Sequence, residues 1–302
     1  MIGSLPAAGT SPLRTSATVS SVPSTLRSLS IMTFAEARRS RSEDRRISPV
    51  FWVLLAVLGT SGWAVWSGYG NSGFGVFLFV VAGWMVSLCL HEYGHARTAL
   101  HGGDISIGAK GYLTLNPLKY TNVLFSFVLP VVFVILGGIG LPGGAVYIER
   151  HRIQGRLKHS LISAAGPLVN VLFAGVLLTA VGAGWFDDPD RLIEIGGRTL
   201  DLSPLPAALA YLAMFQVSAA LLNLLPVPGL DGYGIVEPWL SPKVRRAVEP
   251  FAMYGMLAVF ALLWQPQVNR FFFDVVYGIT ELFGVDRGVI WIGDYLFRFW
   301  NH

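Results

Sequence analysis

Long apolar stretches separate the few charges of this chain, and they decide its fold class before any motif is read. A helix of about 20 apolar residues crosses a hydrocarbon core of about 30 Å. Such runs occur at Pro49 to about Ser67, about 73–98, 121–140, about 161–185, about 204–226 and about 250–265. Only 13% of the 302 residues are charged, against about 25% in an ordinary soluble domain. A cytoplasmic globular enzyme would lack its polar skin. Cys89 is the single cysteine, which excludes a disulfide scaffold, and its apolar surroundings predict a buried thiol. The expectation is an all-α polytopic membrane protein with five to six transmembrane helices.

The charges that remain are informative by position. The formal net charge is +4, but no interleaving of aromatic and basic residues points to nucleic acid. Arg and Lys instead mark cytoplasmic loops by the positive-inside rule. Residues 1–47 read as a disordered basic cytoplasmic tail. They are rich in Ser, Thr, Pro and Ala, and end in Arg38, Arg39, Arg41, Arg45 and Arg46. The tail's first part also suits a segment upstream of a start at Met32, or an Arg-rich, acid-poor transit peptide. Residues 48–265 carry the spans. In 266–302, Phe and Trp alternate with Arg270, Asp274, Arg287 and Arg298, which suits amphipathic helices at the membrane interface.

His91 and His95 stand four residues apart at the end of the second run, with Glu92 beside the first. On a helix that spacing turns both imidazoles to one face. This HExxH arrangement is a zinc peptidase signature, with two histidine ligands and a glutamate as general base. Ionisable residues at membrane depth are functional by default. A catalytic zinc site takes three protein ligands. His101 would be the third in a metzincin-like pattern, but that pattern needs glycine where Thr98 stands, and on a continuing helix His101 turns away. Asp231 is the better candidate, because Pro226, Pro228, Gly229 and Gly232 break the chain around it and a carboxylate completes a two-histidine site.

Topology favours Asp231 as well. With the N-terminus in the cytoplasm, the second run returns His91 and His95 to the cytoplasmic side. If 121–140 crossed fully, the basic stretch 147–160 would lie outside and the acidic stretch 186–203 inside. A re-entrant 121–140, broken by Pro130, Gly137, Gly138 and Gly140, keeps both basic stretches inside, including Lys243, Arg245 and Arg246. It also brings Asp231 to the histidines' side.

Taken together, His91-Glu92-x-x-His95, Ala165-Gly166-Pro167-Leu168-Val169-Asn170 and Asn223-x-x-Pro226-x-x-x-x-Asp231-Gly232 resemble the site-2 protease family of intramembrane zinc metalloproteases. The resemblance covers roughly 50–265 and is nearest to compact prokaryotic members without PDZ or CBS domains. It implies one Zn2+ per chain on His91, His95 and Asp231, Glu92 as catalytic base, and Asn223 holding the substrate or the oxyanion. Gly166, Pro167 and Asn170 match a motif of close helix packing. Residues 102–120 would correspond to a small membrane-associated β-hairpin-like element that offers an edge to an unwound substrate. One departure is Tyr120-Thr121-Asn122-Val123, where compact members often carry a His/Asp pair. The implied activity is cleavage of peptide bonds in or near transmembrane segments of membrane proteins in the cell membrane, with the active site on the cytoplasmic side. The competing reading is a catalytically idle membrane scaffold that binds transmembrane helices. The intact Glu92 disfavours it, since a scaffold needs no base.

Overall fold

The computed structural model describes residues 46–120, 146–188, 190, 193–195, 198–200 and 202–301. The expected re-entrant segment at 121–140 lies outside them, as does the expected tail apart from Arg46 and Ile47.

Helix α1 spans Pro49–Ser67. Ser48 opens it by accepting a hydrogen bond from the Val50 N–H at 3.2 Å. Pro49 occupies the first turn, where no N–H is needed. Helix α2, Ser72–Gly102, starts at Asn71, whose Oδ1 accepts from the Phe74 N–H at 2.8 Å. Its 31 residues make it about 46 Å long at 1.5 Å per residue.

After α2 the chain forms a short helix α3, Ser106–Ala109, and 3-10 turns at Tyr112–Thr114 and Pro117–Lys119. The β-hairpin-like element expected at 102–120 is therefore corrected to a series of tight turns. Side chains close these turns locally. Asp104 Oδ1 accepts from the Ser106 N–H at 3.0 Å, and Asn116 Oδ1 accepts from the Leu118 N–H at 3.0 Å. Short polar side chains that satisfy backbone donors in this way compete with a strand ladder.

Helix α4 spans Arg156–Gly182 and contains Pro167. Between α4 and the next long helix, strands β1 (Ile193–Ile195) and β2 (Arg198–Leu200) pair antiparallel, with Ile193 opposite Leu200. Helix α5 is Pro204–Leu224. A broken stretch leads to α6, Asp231–Val236, then α7, Pro242–Val248, and α8, Ala252–Trp264. Helices α9, Pro266–Glu281, and α10, Arg287–Phe297, complete the described chain.

Among the described residues, α1, α2, α4 and α5 are long and apolar enough to cross a membrane. A fifth crossing exists only if the pair Pro242–Phe251 and Tyr254–Trp264, bent by 65°, counts as one span. Of the expected five to six spans, the described residues thus carry four, or five with the bent pair. The reason is length: α8 alone has 13 residues, short of the roughly 20 that span a bilayer.

Helix α5 forms the centre. Its most apolar stretch is 94% buried, against 17% for α1. Ala207, Ala208, Ala210, Ala213, Ala219 and Ala220 on α5 are buried, and such small side chains let neighbouring helices approach closely. The main core joins Met85 of α2, Leu178 of α4, Leu212 and Phe215 of α5, and Ile290 and Phe297 of α10. The amphipathic C-terminal helices thus pack on the bundle with their apolar faces. Cys89 is buried and free.

Candidate metal centre

The site is built on α2, α4 and the break after α5. His91 and His95 lie on successive turns of α2, with Nε2 atoms 3.1 Å apart. Asp231, the first residue of α6, brings Oδ2 to 3.2 Å from His91 Nε2 and 3.3 Å from His95 Nε2. Three ligand atoms form a nearly equilateral triangle. A tetrahedral metal with bonds of about 2.0–2.1 Å holds its ligand atoms about 3.3 Å apart, so the edges fit one ion. Among the described residues, His91, His95 and Asp231 stand together as one cluster of potential metal ligands.

The outer nitrogens of both histidines are also satisfied. His91 Nδ1 lies 2.5 Å from Asn170 Oδ1, and His95 Nδ1 lies 2.7 Å from the Ile162 carbonyl oxygen. An oxygen at Nδ1 makes that nitrogen the donor and leaves the Nε2 lone pair for a metal. Both oxygens come from α4.

Gly166 opens the space that the triangle occupies. A Cβ there would stand 2.2 Å from His95 Nε2 and 2.5 Å from His91 Nε2. Any side chain on this face of α4 would fill the ligand cradle. Asp231 is held by its neighbour in a similar way. A Cβ on Gly232 would meet the Leu224 carbonyl oxygen at 2.2 Å, so glycine alone lets α6 begin against the end of α5. Ser160 Oγ on α4 donates to the Ile235 carbonyl at 2.6 Å, which ties α6 to α4.

Glu92 is buried, follows His91 on the same turn, and accepts a hydrogen bond from the Val146 N–H at 3.2 Å. Asn223 is buried in the last turn of α5, on the other side of the chain break from Asp231. His101 is not part of the group. It is exposed and bonds the Arg97 carbonyl at 2.7 Å, since α2 continues unbroken past Thr98.

Two residues of this region escaped the reading of the sequence. The motifs of the sequence give Asn170 only a helix-packing role and do not include Gln216. Asn170 Nδ2 donates to Gln216 Oε1 at 2.9 Å and to Ser87 Oγ at 3.2 Å, and Ser87 Oγ donates to Gln216 Oε1. Polar residues inside apolar helices were the available signal for both.

A cavity of about 550 Å³ opens beside Asp231, lined among others by Arg150, Tyr233, Glu237, Arg245 and Arg246. Arg150 pairs with Glu237 across it. Water and charged groups therefore reach the edge of the ligand triangle, while its histidine side is closed by apolar helices.

Comparison with known proteins gives a consistent set of relatives. The family model described as Peptidase family M50 matches residues 79–264. A protein of Mycolicibacterium smegmatis named "Putative zinc metalloprotease Rip2" is 44% identical over 267 residues, covering 87% of this chain and 98% of the relative. The Rip2 of Mycobacterium tuberculosis is 40% identical over 263 residues, covering 86% and 96%. YwhC of Bacillus subtilis, named as a zinc metalloprotease in the same terms, is 27% identical over 190 residues, 62% of this chain and 81% of its own. No solved structure matches the chain.

Proposed function

The chain belongs to peptidase family M50, and from that premise we propose that it is a zinc-dependent intramembrane endopeptidase. Its substrates are membrane proteins, cut in or near their transmembrane segments. The observation that carries this reading is the buried triangle of His91, His95 and Asp231, with both outer histidine nitrogens bonded to oxygen. The triangle sits among helices apolar enough to span a bilayer.

His91, His95 and Asp231 would hold one zinc ion. When bound, zinc supplies a Lewis acid that polarises a carbonyl and makes a nucleophile available near neutral pH. Glu92 takes a proton from the attacking water on its carboxylate and delivers it to the leaving amine nitrogen. The Asn223 amide donates to the substrate carbonyl oxygen as that oxygen gains charge. Asn170 and the Ile162 carbonyl hold the two imidazoles in orientation. Apolar packing of α2, α4 and α5 limits water to the side of the Asp231 cavity.

The cytoplasm is the proposed side of the site. Support comes from Arg150, Arg245 and Arg246, which line the same cavity as Asp231, since such residues are retained on the cytoplasmic side. The experiment uses the full chain, purified in detergent and reconstituted in lipid vesicles with a candidate single-span substrate. Bound zinc and cleavage that is lost in Glu92→Gln support the reading. A purified protein without zinc, and cleavage of no candidate that depends on Glu92, would favour the helix-binding scaffold instead.

A further inference from the structure

We propose that Lys110 is a positioning residue for Glu92, which it steadies by holding the extended segment 146–149 against that carboxylate. This rests on the peptidase reading above, in which Glu92 is the base, and it adds a residue that lies outside the HExxH, Gly166-Pro167 and Asp231 motifs.

A buried carboxylate needs donors. Taking its charge out of water is costly unless hydrogen bonds replace the lost hydration. Glu92 is 3% exposed. Among the described residues, the one hydrogen bond it accepts comes from the Val146 N–H, to Oε2 at 3.2 Å. That bond takes one oxygen and leaves Oε1 without a donor, as an oxygen that must accept a proton requires. The contact therefore steadies the base without masking it. The donor is a backbone N–H, which has no rotor of its own. Its direction is set entirely by where the segment lies.

Residues 146–149 form neither helix nor strand. Val146 and Ile148 pack against the cluster that includes Ala96, Ala99 and Ile107, whereas Tyr147 is exposed. Apolar contact is non-directional, so it does not fix how far the segment slides along that surface. Polar contacts fix it. Lys110 Nζ donates to the Tyr147 carbonyl oxygen at 3.1 Å and to Glu149 Oε1 at 3.1 Å. The same ammonium stands 4.7 Å from the centre of the Tyr147 ring, within cation–π range.

A second anchor lies beyond the first. The Glu149 N–H donates to Oδ2 of Asp104, which is fully buried, at 2.7 Å. Asp104 Oδ1 meanwhile accepts from the first N–H of α3, and Lys110 follows the last residue of that helix. One short helix thus grips the segment at Tyr147 and at Glu149. Among the described residues, the Lys110 bond to the Tyr147 carbonyl is the anchor nearest in sequence to the Val146 N–H.

The test uses the full chain reconstituted in lipid vesicles, with the single-span substrate whose cleavage is lost in Glu92→Gln. Lys110→Met keeps the length of the side chain and removes its donors. It is expected to lower kcat about 10-fold, within the ~10²-fold that a displacement near 1 Å can cost, and to leave KM and zinc content unchanged. Lys110→Arg, which also donates, is expected to retain most of the rate. In a Glu92→Gln background, Lys110→Met is expected to add no further loss to the residual rate, because the base it acts through is already gone. Hydrogen–deuterium exchange of the metal-free protein gives a reading independent of activity. The Val146 amide is expected to exchange faster in Lys110→Met and in Glu92→Ala. Should Lys110→Met not fold, Glu149→Gln, which weakens the same grip, is expected to move kcat and the Val146 amide in the same directions. An unchanged kcat or an unchanged Val146 amide in the folded variant overturns the proposal. A raised kcat also overturns it and would mark the segment as a block on the base. An equal loss in the Glu92→Gln background overturns it as the sign of a general structural role. A native protein that binds no zinc, or that cleaves equally well with Glu92→Gln, would overturn the functional reading itself.

Discussion

Asn170 Oδ1 stands 2.5 Å from His91 Nδ1, so a residue of α4 that is not a ligand fixes which nitrogen a residue of α2 can offer. This contact joins the two helices at the point where their chemistry matters. It follows that the site should respond to changes at bases, ligands, spaces and surface contacts in separable ways.

The base and the ligands are separable first. Glu92→Gln keeps the volume and removes the proton acceptor. Zinc content should be unchanged, and the cleavage rate should fall by about 10²–10⁴, the usual contribution of a positioned base. Rate measurements together with metal analysis of the same preparation check this. A variant that lost zinc and activity in parallel would make Glu92 a structural residue.

Asp231→Ala removes one corner of the triangle. Zinc affinity should drop by more than the roughly 10- to 100-fold that outer partners of a metal ligand contribute, and cleavage should disappear with it. Competition with a chelator gives the number. Survival of both zinc content and cleavage would require a different third ligand.

Gly166→Ala tests the empty space. The added Cβ would stand 2.2 Å from His95 Nε2, so zinc binding should be lost although no ligand has changed. Gly175→Ala on the same helix is the control, since a Cβ there meets nothing within 4 Å. That change should be neutral, or should stabilise α4 by up to about 1 kcal/mol through helix propensity. Equal zinc affinity in the two variants would contradict the cradle.

Glu149 gives a pH-dependent contact away from the site. Arg152, then Lys110, then Ser106 hold its carboxyl at about 2, below the roughly 4.3 of a free glutamate. A lowered folded value means that the contact contributes fully above the unfolded value. It is lost as pH falls through about 2. A carbon-13 NMR titration of labelled glutamate should show a low midpoint for Glu149, and Lys110→Ala should raise it. A Glu149 midpoint that Lys110→Ala leaves unmoved would remove the ion pair of Lys110 with Glu149 from the account.

Much of this was legible in the residues. The HExxH spacing fixed one helical face, and the runs of apolar residues located α1, α2, α4 and α5. Asp231 was reached by charge bias and by the proline and glycine residues around it. What was not legible depended on contacts between distant segments. The turns at 102–120 follow from Asp104 and Asn116 closing on nearby backbone, with Asp104 Oδ2 also accepting from the Glu149 N–H at 2.7 Å. A resemblance to a hairpin could not supply that distant contact. Gln216 belongs to no motif of the sequence, and its partner Asn170 is 46 residues away, a pairing that no periodicity encodes. The 65° bend at 242–264 lies beside Pro250, which opens a 3-10 turn there, a local break that hydropathy alone does not register.

The length of α2 has a consequence for the products of the proposed reaction. His91 lies 19 residues after Ser72, or about 29 Å along the helix axis, close to the full depth of a hydrocarbon core of about 30 Å. In the proposed reaction, a ligand pair set so far along an unbroken helix would place the cut nearer the end of α2 than its start. The two products would then keep unequal lengths of apolar chain.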